Sequence, residues 1–88
     1  MKLKEGILIH KKEQYILELN NEKCRVNRED AYLIDALHSG IEKSEELKKL
    51  IMKEKEVNEA AAGFTLARFI LDYQNYLEED QSFFEITE

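Results

Sequence analysis

The chain has two histidines and one cysteine, His10, His38 and Cys24, side chains that bind zinc and, in the case of cysteine, act as nucleophiles. Protein zinc sites usually draw their ligands in close pairs, a few positions apart, and no two of these residues are that near each other. Cys24 also lacks a sequence neighbour that would activate its thiol. We therefore predict surface or boundary histidines, a cysteine that serves as a small strand residue, and no bound metal.

The acidic side chains offer a second kind of chemistry, because paired carboxylates can act as general acid and base. They cluster at 29–30, 45–46 and 78–80, close to the ends of predicted helices or on solvent faces. Helix capping, the helix dipole and solubility account for such positions without catalysis. The chain also has no glycine-rich loop for a phosphate or dinucleotide. These observations predict a binding module, not an enzyme, with no cofactor.

The composition sets the class of protein. The chain has 88 residues, 43% hydrophobic and 36% charged, with a net charge of −6. These values fit one globular domain, and no apolar run approaches the roughly 20 residues of a membrane helix. The N-terminal segment does not resemble a signal peptide. A single cysteine excludes an internal disulfide, so we expect a reducing cytoplasm and no membrane partner.

The first third of the chain predicts three antiparallel strands, at residues 6–10, 14–19 and 23–26. The second strand alternates, with Tyr15, Leu17 and Leu19 on one face. Asn20 and Asn21 predict a tight turn before the third strand, because asparagine tolerates a positive φ.

The rest of the chain predicts three helices. Asn27 caps the first, which ends near residues 39–40, and Ser44 caps the second. The third runs from about residue 58 to 77. The order of three strands and then three helices predicts a single α+β domain. Its core covers about residues 5–78, and residues 79–88 form an acidic C-terminal tail that either packs back through its apolar residues or frays.

The predicted third helix carries two apolar strips. Its core stripe comprises Ala62, Leu66, Phe69, Ile70, Tyr73 and Leu77, and the second strip comprises Ala60, Phe64, Ala67 and Leu71. Together they span a wider arc than packing on one layer requires. Two interpretations stay open: the strands and the tail wrap the second strip, or this strip lines a groove.

These elements, taken together, resemble the PqqD-like family over about residues 5–78. The resemblance is carried by EGILIHKKEQYILELNNEKCRVN, then HSG, SEELKKLI and LARFILDYQNYL. Family members have an apolar strand after a glycine, two further strands, a helix with a small-residue turn, a capped second helix and a long third helix. The chain departs from the family after the third helix, where Tyr76, Leu77 and Glu78 replace a frequent glycine.

The resemblance implies a winged helix-turn-helix-like domain that binds the leader segment of a ribosomally synthesised precursor peptide. In the family, the leader adds as a strand beside the third strand and against the third helix. It is thereby presented to a modifying enzyme, often a radical SAM protein. PQQ is one of several products compatible with the resemblance.

The peptide-binding residues expected here come from a strand edge and a helical wall. An unpaired strand edge can hydrogen-bond any extended peptide, so selectivity must come from side chains. The wall residues Phe64 and Leu71 would hold apolar groups of the leader, and Arg25 or Arg68 would pair with an acidic one. The predicted set is Lys23, Cys24, Arg25, Val26, Phe64, Ala67, Arg68 and Leu71.

Two other functions compete with this interpretation. A DNA-binding winged-helix regulator would present basic or amide side chains along its recognition helix. The third helix offers Arg68 and Asn75 against several acidic residues, and the net charge of −6 also argues against nucleic acid. A self-associating module would use the wide apolar arc instead, and the sequence leaves the oligomeric state open.

Overall fold

The computed structural model describes residues 1–78. The predicted acidic tail, residues 79–88, lies outside the described residues. In chain order the elements are β1 (Lys2–Leu3), β2 (Leu8–His10), β3 (Ile16–Leu19), β4 (Glu22–Arg25), α1 (Arg28–His38), α2 (Ser44–Lys55), α3 (Glu59–Asp72), a 3₁₀ turn (Gln74–Tyr76) and β5 (Leu77–Glu78).

Strands β2, β3 and β4 form an antiparallel meander in that spatial order. The turn between β3 and β4 consists of Asn20 and Asn21, with φ angles of 53° and 68°. Positive φ at both central residues is the geometry of a type I′ hairpin, whose twist matches the strands it joins. The α+β class with a three-stranded antiparallel sheet and three helices is confirmed, although each strand is shorter than predicted or shifted by a residue.

A second, two-stranded sheet was not predicted. Strand β1 pairs antiparallel with β5, and Lys4 donates a backbone hydrogen bond of 3.0 Å to the Tyr76 carbonyl. The prediction that the third helix continues to residue 77 is therefore wrong, because α3 ends at Asp72. Pairing with β1 draws the chain out of the helix, while Tyr76 and Leu77 stay buried.

The helix starts follow from local hydrogen bonds. Asn27 accepts from the Asp30 N–H at 2.8 Å and Asn58 from the Ala61 N–H at 2.9 Å, so both are caps that leave fewer unpaired donors in the first turn. The prediction that Ser44 caps α2 is wrong. Ser44 is the first helical residue, and Lys43 occupies the cap position without a side-chain bond.

The core lies where the meander and the three helices meet. The predicted stripe of the third helix is buried along its whole length, including Leu77, which belongs to β5. At the end of α3, Tyr73 is 5% exposed and its hydroxyl donates to Asp30 of α1 across 2.8 Å. This bond satisfies a polar group that the core would otherwise leave unpaired. Within residues 1–78, no helix is both long and apolar enough to span a bilayer.

Candidate functional site

Strand β4 is an edge strand, and its register shows which of its main-chain groups are free. The Val26 N–H donates to the Tyr15 carbonyl at 2.8 Å, and Cys24 lies opposite Leu17. In an antiparallel pair, the residues that bond to the partner strand alternate with residues whose N–H and C=O point away from it. The groups of Lys23 and Arg25 therefore point outward, away from β3.

The side chains of the four predicted strand residues also fall into an exposed pair and a more buried pair. Lys23 and Arg25 are exposed, whereas Cys24 is half-buried and its thiol donates weakly to the Arg25 carbonyl across 3.7 Å. Val26 was expected in the strand, but β4 ends at Arg25 and Val26 is a core residue, 4% exposed. Cys24 and Val26 thus anchor the strand, while Lys23 and Arg25 are the two that remain accessible.

The second apolar strip of α3 faces solvent in the described structure. Phe64 is 80% exposed and Leu71 is 64% exposed, and Ala60 and Ala67 are exposed as well. Large apolar side chains that are this exposed mark interaction sites when they lie together on one face. Within residues 1–78 the strands leave the strip uncovered. The tail, residues 79–88, to which the same interpretation gave part of this role, lies outside the described residues.

Arg68 borders this strip on the solvent side. Its side chain is 85% exposed and its Nε lies 3.9 Å from the Asp72 carboxylate, one helical turn later. Such an exposed pair holds the side chain weakly, because solvent screens the attraction. Arg68 is therefore available to an acidic group of a ligand.

The 3₁₀ turn that follows α3 contacts the start of β4. The Tyr76 hydroxyl lies 3.5 Å from the Glu22 carbonyl at the start of β4. Burial, and then the carboxylates of Asp30 and Asp72, raise the pKa of the Cys24 thiol. Leu71 lies in the last turn of α3, five residues before Tyr76.

Phe64 lies seven residues before Leu71, about 10 Å further along the helix axis. Leu71 is therefore the member of the strip nearest in sequence to the turn that contacts β4, and Phe64 lies towards the other end of the helix. We call the outward groups of Lys23 and Arg25, together with Phe64, Ala67 and Leu71, the β4–α3 surface.

A cleft of about 740 Å³ opens at the far end of β4, between the β2–β3 loop and the start of α1; its lining includes Arg25, Val26, Arg28 and Tyr15. Behind it, the Tyr15 hydroxyl donates to Asp35 at 2.7 Å and Lys11 pairs with the same carboxylate at 2.8 Å. Burial acts to raise the pKa of Asp35, but the hydrogen bonds from Lys11 and Tyr15 outweigh it and lower that pKa.

The sequence analysis did not predict the contacts of Asp35 with Tyr15 and Lys11, or the hydrogen bond from Tyr73 to Asp30. A usable signal was present in both cases, because a tyrosine on a core stripe needs a partner for its hydroxyl. The identity of the partner depends on how the helices pack, which periodicity does not specify.

The residues first considered for chemistry lie apart in the structure. His10 contacts Glu18 across 2.9 Å on the exposed face of the sheet, and His38 is exposed at the end of α1. The described part of the chain contains no group of three or more His, Cys, Asp or Glu side chains arranged to hold a metal. The raised pKa of Cys24 disfavours the thiolate, which is the nucleophilic form.

Comparison with known proteins gives no match to a family model, a curated protein or a solved structure. The β4–α3 surface combines an open strand edge with exposed apolar side chains.

Proposed function

We propose that this protein is a non-catalytic peptide-binding domain of the winged helix-turn-helix type, as its resemblance to the PqqD-like family implies. Its ligand is the leader segment of a ribosomally synthesised precursor peptide, which it presents to a modifying enzyme in the cytoplasm. The observation that carries the proposal is that the described structure leaves both the outer edge of β4 and the apolar strip of α3 uncovered.

The strand edge supplies affinity that does not depend on the sequence of the peptide. An extended peptide can pair with the N–H and C=O groups of Lys23 and Arg25, which lie two residues apart on the outward side. Each such hydrogen bond contributes about 1 kcal/mol net in water. Addition of a strand to an open sheet edge is a common mode of peptide recognition.

The helical strip supplies selectivity. Phe64 and Leu71 are 80% and 64% exposed, so most of their apolar area is available to a ligand. Covering both side chains would contribute about 3 kcal/mol, since a fully buried Phe or Leu is worth about 1.5–3 kcal/mol. An acidic leader residue would pair with Arg25 or Arg68, which favours one register of the peptide over another.

The domain would act as an adaptor for an enzyme, often a radical SAM protein in the family it resembles. The DNA-binding alternative receives little support from the exposed face of α3. That face presents Phe64 and Leu71, and its arginine, Arg68, lies 3.9 Å from the Asp72 carboxylate. Phosphate binding requires unpaired cationic groups along the helix instead.

The direct test is peptide binding by a variant of the helical strip. The probes are labelled 12-residue peptides tiled along the short open reading frames that flank the gene, with random 12-residue peptides as background. We expect one tiled peptide to bind and the double substitution Phe64→Ala, Leu71→Ser to weaken it at least tenfold, which is about 1.4 kcal/mol.

The matched control is Leu8→Ser, which removes another exposed apolar side chain, 55% exposed, from the opposite edge strand β2. This control should bind the same peptide with unchanged affinity. The proposal fails if no tiled peptide binds better than background, or if the double variant binds as tightly as the wild type.

A second test isolates the main chain. Lys23→Pro removes an outward N–H without touching the bonds between β4 and β3, because proline is tolerated where the N–H of an edge strand faces solvent. Lys23→Ala removes the same charge and keeps the N–H. We expect the proline variant to bind the peptide at least fivefold more weakly than the alanine variant, by loss of about 1 kcal/mol. Equal affinities would argue against strand addition at β4.

A further inference from the structure

We propose that two copies of this chain pair through the exposed apolar strip of α3, with the two helices antiparallel about a two-fold axis. The strip comprises Ala60, Phe64, Ala67 and Leu71, and all four are exposed within residues 1–78. Its occupant is the same strip of a second copy. The inference goes beyond the proposed function, because the pairing requires no leader peptide.

The four residues have the spacing of a seam between two helices. They follow one another at intervals of four, three and four positions. Residues with this spacing occupy the a and d positions of a heptad and stay on one face of the helix. Helix α3 has 14 residues, from Glu59 to Asp72. The strip therefore runs along nearly the whole helix, and a partner helix can follow it from one end to the other.

The sizes of the side chains make the strip complementary to itself when the helices are antiparallel. Phe64 and Leu71 are large, whereas Ala60 and Ala67 are small. Residues 64 and 67 are centred on the same point of the helix as residues 60 and 71. A two-fold axis at that point sets each Phe64 on Ala67 of the partner subunit and each Leu71 on Ala60 of the partner subunit. A parallel pair would instead set large on large and leave a gap between the alanines.

Gly63 independently indicates that another chain approaches this face. It lies inside α3 and borders the strip on the side away from Arg68. A glycine in a helix interior destabilises the helix relative to alanine. Within the described structure, a Cβ at Gly63 would meet no atom within 4 Å apart from its chain neighbours and its own helix backbone. Packing inside residues 1–78 therefore does not require this glycine, whereas close approach of a partner helix does.

The charged groups beside the strip do not oppose the pairing. Glu59 and Asp72 lie at its two ends, and each already has a basic partner in its own chain. Lys48 lies 3.8 Å from Glu59, and Arg68 lies 3.9 Å from Asp72. The remaining repulsion comes from the net charge of −6 on each copy. Because salt screens this repulsion, added salt should strengthen the pairing.

The area of the strip sets the strength of the pairing. Phe64 is 80% exposed and Leu71 is 64% exposed. With the two alanines, the strip offers roughly 400 Å² per copy, or roughly 800 Å² in a pair, whereas stable complexes bury about 1,200–2,000 Å². The pair is therefore weak and reversible, with a Kd on the order of 0.1 mM. A leader peptide that uses the same strip competes with the second copy.

The test exchanges the sizes of the central pair in full-length chains and measures Kd by sedimentation equilibrium between about 10 µM and about 1 mM protein. Phe64→Ala removes the large partner, and Ala67→Phe sets two large side chains against each other. We expect each single substitution to weaken the pairing at least tenfold. The variant that carries both substitutions again sets large on small, and its Kd should return to within about threefold of the wild-type value. The matched control is Leu8→Ser, which removes an exposed apolar side chain from β2 and should leave Kd unchanged.

Ala67→Phe separates this pairing from unspecific association. It adds exposed apolar area, so unspecific association would become stronger, whereas pairing at this seam becomes weaker. Stronger association of Ala67→Phe, no recovery in the variant with both substitutions, or loss of pairing in Leu8→Ser would each overturn the inference. A wild-type chain that stays monomeric at about 1 mM would overturn it as well. Residues 64 and 67 are exposed, so the variants keep the fold, which circular dichroism at 222 nm checks. No measurement uses a peptide, so the pairing and the proposed function can fail separately.

Discussion

The exposed strip on α3 makes a quantitative prediction about stability. The double substitution Phe64→Ala, Leu71→Ser removes two large apolar side chains from the same helix that supplies Leu66 and Phe69 to the core. Because Phe64 and Leu71 face solvent, their loss should lower the free energy of unfolding by only about 1 kcal/mol. Leu66→Ala, a single truncation on the opposite face, should change it strongly, since Leu66 is 1% exposed.

The magnitudes follow from the buried fractions. Phe64 buries one fifth of its surface and Leu71 about one third, against exposures of 80% and 64%. Complete burial of a Phe or Leu side chain stabilises a protein by roughly 1.5–3 kcal/mol. The small buried fractions of Phe64 and Leu71 therefore contribute about 1 kcal/mol together. Helix propensity changes by about 0.5 kcal/mol in opposite directions at the two sites and largely cancels. Leu66→Ala should cost about 2–5 kcal/mol, because it also leaves a cavity.

Urea unfolding followed by circular dichroism at 222 nm measures both changes. A domain of this length is stable by about 4–13 kcal/mol, so the double variant stays folded and Leu66→Ala approaches the limit of stability. The m-value should be unchanged in the double variant. A loss above about 2.5 kcal/mol, or one equal to that of Leu66→Ala, would refute the assignment of Phe64 and Leu71 to the surface.

Three further predictions concern single contacts. Asn58→Ala should lower the free energy of unfolding by about 1 kcal/mol, because it removes the side-chain cap of α3. Ser44→Ala should leave the free energy of unfolding unchanged or slightly higher, because Ser44 is the first helical residue of α2 and not its cap. The urea midpoints of the two variants measure this difference. Tyr73→Phe should destabilise by about 1–3 kcal/mol in the same assay, since it removes the hydroxyl that donates to the Asp30 carboxylate; an unchanged midpoint would contradict that role. Cys24 should react with iodoacetamide more slowly in the folded chain than in urea at pH 8, because burial raises the thiol pKa and leaves less thiolate. The pKa of the Cys24 thiol is higher in the folded chain than in the unfolded chain. Its contribution to stability is therefore fully present at a pH below the unfolded-state pKa, and it is lost as the pH rises to the folded-state pKa. An inflection in the folded rate profile at or below that of the unfolded chain would contradict this prediction.

The parts of the fold that sequence predicted are those decided by neighbours along the chain. Periodicity located the core stripe of α3, and the side chain of Asn27 marked a helix start because it caps its own first turn. The positive φ at residues 20–21 followed from asparagine pairs in the same way. The prediction that Ser44 caps α2 was wrong because a serine before an apolar stripe is equally compatible with the cap position and with the first helical position.

The parts that sequence did not predict depend on distant partners. Strands β1 and β5 are two residues each, too short for alternation to appear, and their pairing ends α3 five residues before the predicted bound. The candidate site also has a part that the sequence predicted and a part that it did not. Periodicity separated Phe64 and Leu71 from the core, but the identity of the outward main-chain groups on β4 depends on its register with β3.

The pairing of β1 with β5 also has a consequence for protein engineering. Lys2 lies opposite Glu78 with their charged groups 3.5 Å apart, so the two ends of the described fold sit side by side. A domain with adjacent ends can be placed inside a surface loop of another protein without stretching either partner. The same adjacency suits circular permutation: a short linker from residue 78 to residue 2 would let new ends open at the exposed Gly40, between α1 and α2.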